Sequence, residues 1–198
     1  MADLTEPSID QIDRARAREY ALLASLLSHS PDAQLLSALA GLHGDASPIG
    51  LAHAALAEAA GQSSEEDVAR EYFGLFSGLK DAVLLPYASH YLTDTLYGRP
   101  LARLRETLQK LGIEKSPERT EPEDHAGFVL EVMAGLVAGD LPAPKDTDHA
   151  FFEEHLAPWL RRFFADLEKS KTGDFYRCVG QLGRTFIEVE AEAFALPA

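Results

Sequence analysis

The chain has 198 residues and a mass of 21.6 kDa, enough for one sizeable buried core and short for two ordinary domains. Eighteen Lys and Arg stand against 32 Asp and Glu, a net charge of −14, which excludes a role dominated by contacts to nucleic-acid phosphates or anionic lipid and favours a cationic partner. The single Cys178 can form neither an internal disulfide nor a cysteine zinc cluster, and the N-terminal MADLTEPSIDQIDRARAREY lacks the apolar core of a signal peptide or membrane span. These features predict one soluble cytoplasmic domain over residues 1–198, with no direct membrane insertion.

Leu (29) and Ala (30) far outnumber Val (7) and Ile (5), the composition of a helical chain, because unbranched side chains lose least rotamer freedom in a helix. In chain order, Ile12, Leu23, Leu26 and Leu27 mark a first helix, and Leu35, Leu36, Leu39 and Leu42 a second after Pro31. An Ala-rich third spans Leu51–Ala60 and starts near Ser47-Pro48. Ser63 and Ser64, followed by three acids, cap a fourth carrying Val68, Tyr72, Leu75, Phe76 and Leu79. Residues 79–100 combine an apolar run, Pro86, tyrosines and a Gly98-Arg99-Pro100 turn, and read as partly irregular yet buried.

Leu101, Leu104, Leu108 and Leu111 repeat the helical pattern and Gly112 closes it. Residues 112–122 form an exposed loop or hinge, and 138–148 a second loop. Between them run Val129, Val132, Met133, Leu136 and Val137. Two stripes finish the chain: Phe152, Leu156, Trp159, Leu160, Phe163 and Leu167, then Phe175, Val179, Leu182, Phe186 and Val189. The expected architecture is an all-α bundle of about seven to nine helices.

The segment Thr120-Glu121-Pro122-Glu123-Asp124-His125 carries the most chemistry. Thr120 and Glu123 have capping-box spacing and Pro122 suits a first helical turn, a structural role that leaves His125 unexplained. No catalytic constellation emerges. His149 and His155 are six apart and fall on different helix faces, and no His-Glu-x-x-His, phosphate-binding loop or nucleophile elbow occurs. Asp146, Asp148, His149, Glu153 and Glu154 read as a solvated helix start, and Cys178 as an inert core thiol. The aromatic residues between 72 and 97, tyrosines around Pro86 among them, outnumber what one helix face buries and suggest a groove that accepts an apolar helix.

Tyr72-x-x-Leu75-Phe76-x-Gly78, Pro86-Tyr87-x-Ser89-x-Tyr91 and Glu121-Pro122-x-Asp124-His125, then Leu130-Glu131-x-Met133-x-x-Leu136 and Phe152-x-x-His155-Leu156-x-x-Trp159, resemble the TorD/DmsD family of redox-enzyme maturation chaperones. The ordered match runs over about residues 14–192, with one departure at Ala88, where the family often carries an acid.

The resemblance implies an all-α cytoplasmic chaperone that binds the twin-arginine signal peptide, and sometimes the apo body, of a molybdopterin-containing oxidoreductase and delays export until the cofactor is inserted. It places Tyr72, Leu75, Phe76, Pro86, Ser89, Tyr91, Glu121, Pro122, Asp124 and His125 in the peptide-binding region. Glu121, Glu123 and Asp124 would meet the arginines, since charge-assisted bonds to guanidinium are strong. Family members have been suggested to bind GTP, for which no motif is present; no cofactor, metal or catalytic residue is expected. Exchange of helices across 112–122 offers a route from monomer to homodimer. The alternatives are an all-α metal- or nucleotide-dependent hydrolase and a non-catalytic dimeric scaffold. Residues 114–125 hold five acids against Lys115 and Arg119, a local −3, while Glu188, Glu190 and Glu192 read as solvated surface.

Overall fold

A computed structural model describes residues 9–76, 83–116 and 120–196, with side chains from residue 11 onward. Leu79 and Gly78, together with Glu118 and Arg119 of the acidic segment, lie outside the described residues. Among the described residues ten α-helices form: α1 Ile9–Ser28, α2 Ala33–Ala40, α3 Pro48–Gln62, α4 Glu65–Phe76, α5 Ala88–Thr93, α6 Arg99–Lys110, α7 Ala126–Ala138, α8 Thr147–Phe151, α9 Leu160–Glu168 and α10 Asp174–Phe194. The all-α expectation holds; the extra elements are α5 and α8, of 6 and 5 residues, too short to show a period in sequence. Among the described residues no helix is long and apolar enough to cross a membrane.

The helix ends follow local chemistry. Asp32 accepts the Leu35 N–H at 2.8 Å, Ser47 accepts that of Gly50 at 3.1 Å ahead of Pro48, and the Ser64 hydroxyl accepts that of Asp67 at 3.2 Å. At the end of α6, Gly112 takes φ +68°, and the N–H groups of Gly112 and Ile113 return to the carbonyls of Gln109 and Leu108, a Schellman closure.

One contiguous apolar core joins α1, α7, α9 and α10, with α1 packed along α7 and α10 along α9 and α3. Its largest fully buried side chains include Trp159, Tyr20, Tyr176 and Phe163.

Several local expectations are corrected. The stripe Phe152–Leu167 is buried throughout but is not one helix: a π turn over Phe152–Leu156 sends the Ala157 N–H to the Phe152 carbonyl at 2.9 Å, and α9 restarts after Pro158, which has no N–H for the ladder. Gly98 is the N-cap of α6, with Arg99 and Pro100 in its first turn rather than in a turn of their own.

Residues 83–100 are only partly buried: Pro86, Ala88, Ser89 and Tyr91 go inside, whereas Val83, Leu92, Leu96 and Tyr97 are exposed. Ile12 and Val189 face solvent. Glu190, expected in solvent, is 2% exposed and accepts both the Arg16 guanidinium, twice at 2.8 Å, and the Tyr20 hydroxyl at 2.7 Å.

Candidate peptide-binding site

The segment before α5 and the segment before α7 meet as a short antiparallel clasp. Tyr87 and His125 pair as an isolated bridge, with the Ala126 N–H bonded to the Pro86 carbonyl at 2.7 Å and the Ala88 N–H to the Asp124 carbonyl at 2.9 Å. Two irregular stretches far apart in sequence thereby satisfy each other's backbone groups, which burial would otherwise leave costly.

Side chains lock the clasp. Asp124, 1% exposed, accepts the Ser89 N–H through Oδ2 at 2.9 Å. Ser89 N–H belongs to the first turn of α5, whose N-cap Tyr87 supplies no side-chain acceptor, so Asp124 caps α5 from a distant segment. The Ser89 hydroxyl in turn accepts the N–H of Tyr97, a residue held at φ +69°. His125 caps α7: its Nδ1 accepts the Gly127 N–H at 3.1 Å, and its ring lies edge-on to Tyr87 with centroids 5.3 Å apart.

The capping box of Thr120 and Glu123 does not form. Helix α7 starts at Ala126, and Glu123 instead takes a paired contact from Arg105 of α6, at 3.1 and 2.7 Å, which holds its carboxyl below the usual carboxylate range.

Glu121 is the exposed acid of the signature. It accepts the Tyr87 hydroxyl, and burial, then this carboxylate, pushes the Tyr87 phenol above its ordinary range. Burial, and after it the field of Glu121, pushes the Tyr72 phenol up to about 12.

The structure therefore brings Pro86, Ser89, Glu121, Pro122, Asp124 and His125 into one locus. Pro122 adds its carbonyl, which accepts the His125 N–H at 3.1 Å. Leu75 is fully buried in the core, and its carbonyl accepts the Leu84 N–H at 3.0 Å.

Tyr72 and Phe76 pack half-buried against Tyr176 of α10, with Tyr72 donating to the Leu27 carbonyl at 3.2 Å. Tyr91 points elsewhere, into α9. It sits near Trp159 and Phe163, its hydroxyl donates to Asp166 at 3.2 Å, and the Arg162 guanidinium lies 4.9 Å from its ring. Ala88, the family departure, is buried.

Sequence reasoning missed Tyr87 as the acid's partner and Arg105 as that of Glu123; Tyr87 carried a signal in its place between Pro86 and Ser89, whereas nothing local marks Arg105. It also missed Gly127, where an added Cβ would lie 2.4 Å from the Ser28 Oγ of α1.

A cavity of about 630 Å³ lies beyond the clasp, between α1 and α7, and none of the eleven expected binding residues lines it. Among the described residues no group of three or more His, Cys, Asp or Glu is arranged to hold a metal ion. Cys178 is half-buried, and burial pushes its thiol up, away from the reactive thiolate.

The sequence and its all-α bundle match a known class. Residues 42–165, more than half of the chain, match the family model described as the nitrate reductase delta subunit, and the chain belongs to that family. Within it the relatives are TorD and DmsD proteins, as the motifs led us to expect. The chaperone protein TorD of Shewanella pealeana is 27% identical over 93% of this chain and 91% of its own length, and that of Shewanella loihica is 28% identical over 96% and 99%. A DmsD protein of Haemophilus influenzae, described as a Tat proofreading chaperone, is 30% identical over 60% of this chain and 57% of its own. A candidate redox enzyme maturation protein from Archaeoglobus fulgidus shares the fold, with a TM-score of 0.60 at 21% identity over 95% of this chain and 99% of that one.

Proposed function

We propose that this protein is a system-specific cytoplasmic chaperone that binds the twin-arginine signal peptide of a molybdopterin-containing oxidoreductase, and the apo enzyme with it, and withholds export until the cofactor is in place. The relatives' names as TorD and Tat proofreading chaperones support this reading. The observation that carries it on this chain is the exposed Glu121 carboxylate, held by the Tyr87 hydroxyl at the edge of a clasp built from the family signature. A carboxylate fixed by a neighbouring phenol is a pre-oriented acceptor for a guanidinium, and ordering it in advance lowers the cost of binding.

The acids at this locus do unequal work. Asp124 and Glu123 are committed to Ser89 and Arg105, so they hold the clasp in shape, and Glu121 is the group presented to a ligand. The role is recognition, with no covalent step and no nucleotide required.

The test is co-purification of the client's precursor from cells, with and without its signal peptide. The reading expects a complex with the full precursor and a large loss when the arginine pair is replaced. Equal recovery of both precursors would contradict it.

A further inference from the structure

Helices α1 and α7 lie side by side and antiparallel, with the C-terminal end of α1 against the start of α7. Contact is close there: a Cβ built on Gly127 would sit 2.4 Å from the Ser28 Oγ and 3.1 Å from the Ala24 carbonyl oxygen. Further along α7 the two helices part around the cavity of about 630 Å³, within the roughly 300–1,000 Å³ range of specific ligand pockets. Its walls are mainly small or apolar: Ala17 and Ala21 from α1, Phe128, Val132 and Gly135 from α7, and Leu141 from the loop beyond. Gly135 has no Cβ where one would meet Leu141 at 2.9 Å, so Leu141 folds down and closes the far end.

Three features name the occupant. Phe128, Val132, Gly135 and Ala138 recur at steps of four, three and three, one row along α7, and His125 of the clasp stands three positions before Phe128 in the same row. The row from Phe128 to Ala138 advances about 15 Å, and an apolar signal core of about 7–15 residues spans a similar length as a helix. Among the described residues the rim carries Glu114, Glu131 and Asp140 against one cation, Arg18, an excess of acid suited to an apolar segment that follows basic residues.

We propose that the apolar core of the signal peptide lies as a short helix in the α1/α7 groove while its arginines engage Glu121 at the clasp; this rests on the peptide-binding reading above. The two halves of the ligand, cationic then apolar, thus map onto one helix, the first at the start of α7 and the second along the groove beside it.

The experiment titrates the full-length chain with a synthetic peptide of two adjacent arginines followed by a leucine-rich run of about ten residues, one of them a photoreactive benzoylphenylalanine. Ala21 is exposed on α1, so A21W fills the groove without entering the core, and the double variant E114K/D140K reverses the rim charge in case the tryptophan disturbs the fold. Each variant is expected to raise Kd about tenfold or more. Photocrosslinks are expected on α1 and α7 around Ala21, Phe128 and Val132. If the wild-type chain binds but both variants bind as tightly, with crosslinks confined to Tyr72, Tyr87 or Glu121, the groove assignment is overturned and peptide binding stands. If the wild-type chain does not bind the peptide at all, both fall.

Discussion

The Asp124 carboxylate accepts the Ser89 N–H at 2.9 Å across 35 positions of sequence, so an acid of the signature caps a different helix from the one it precedes. With the backbone bonds on either side, this contact makes the clasp a single structural unit. The same residues that invite a binding interpretation also hold the fold, and variants must be chosen to separate the two roles.

Asp124→Ala leaves the buried Ser89 N–H without an acceptor. It is expected to cost about 1–3 kcal/mol, the range for stranding a buried donor. For a chain of this size each kcal/mol lowers Tm by about 2–4 °C. Asp124→Asn, which keeps an amide oxygen in place, should lose less. Urea denaturation of the two variants beside the wild type measures the difference; an alanine variant as stable as the wild type would mean the cap is not formed.

His125 separates cap from ring. His125→Ala removes the acceptor for the Gly127 N–H and should cost about 1 kcal/mol, whereas His125→Asn restores a good N-cap. If the imidazole edge against Tyr87 also shapes the peptide site, the asparagine variant keeps its melting temperature and loses signal-peptide affinity. Melting and peptide titration on the same preparations read the two effects apart.

The buried Glu190 is a third target. Glu190→Ala takes the acceptor from the buried Tyr20 hydroxyl and removes two bonds from the Arg16 guanidinium, which keeps Asp13 at 2.8 Å. Stranding a buried hydroxyl costs about 1–3 kcal/mol, and the two lost guanidinium bonds add to it. Tyr20→Phe, which removes one hydroxyl from the same network, should cost about 1 kcal/mol. Chemical denaturation curves test the ranking.

His53 makes stability depend on pH. Its Nε2 lies 3.0 Å from Glu19, and that hydrogen bond, with burial opposing it, raises its pKa above 6.5. The protonated form is the one the fold favours. The stabilisation is therefore fully present below pH 6.5 and disappears as pH rises through the higher folded value. The advantage of wild type over His53→Gln in melting temperature should shrink from pH 6 to pH 8.5; an advantage that grows over that window would refute the pairing.

Much of the fold was legible because helical period is local. Leu101, Leu104 and Leu108 are spaced for one face and lie on one face, while Ser47 and Ser64 start their helices and Gly112 closes its own as their chemistry dictates. What escaped depends on partners remote in sequence. Thr120 and Glu123 had capping-box spacing, yet Arg105 on α6 claims Glu123 and the cap passes to His125. Glu190 looked like surface because its partners, Arg16 and Tyr20, stand 174 and 170 positions away. The aromatic surplus around residues 72–97 was real but divided. Tyr91 serves α9, Tyr72 and Phe76 serve α10, and Tyr87 alone reaches the clasp acids.

The central claim is recognition of an arginine pair by a pre-oriented carboxylate, and calorimetric titration of the purified protein with its client's twin-arginine signal peptide tests it most directly. The account predicts one peptide bound per chain, affinity that falls as salt rises, and clear weakening when the two arginines become lysines or Glu121 becomes Gln, because lysine cannot make the paired contact. No heat of binding, or binding indifferent to salt, to the lysine pair and to Glu121→Gln, would contradict it.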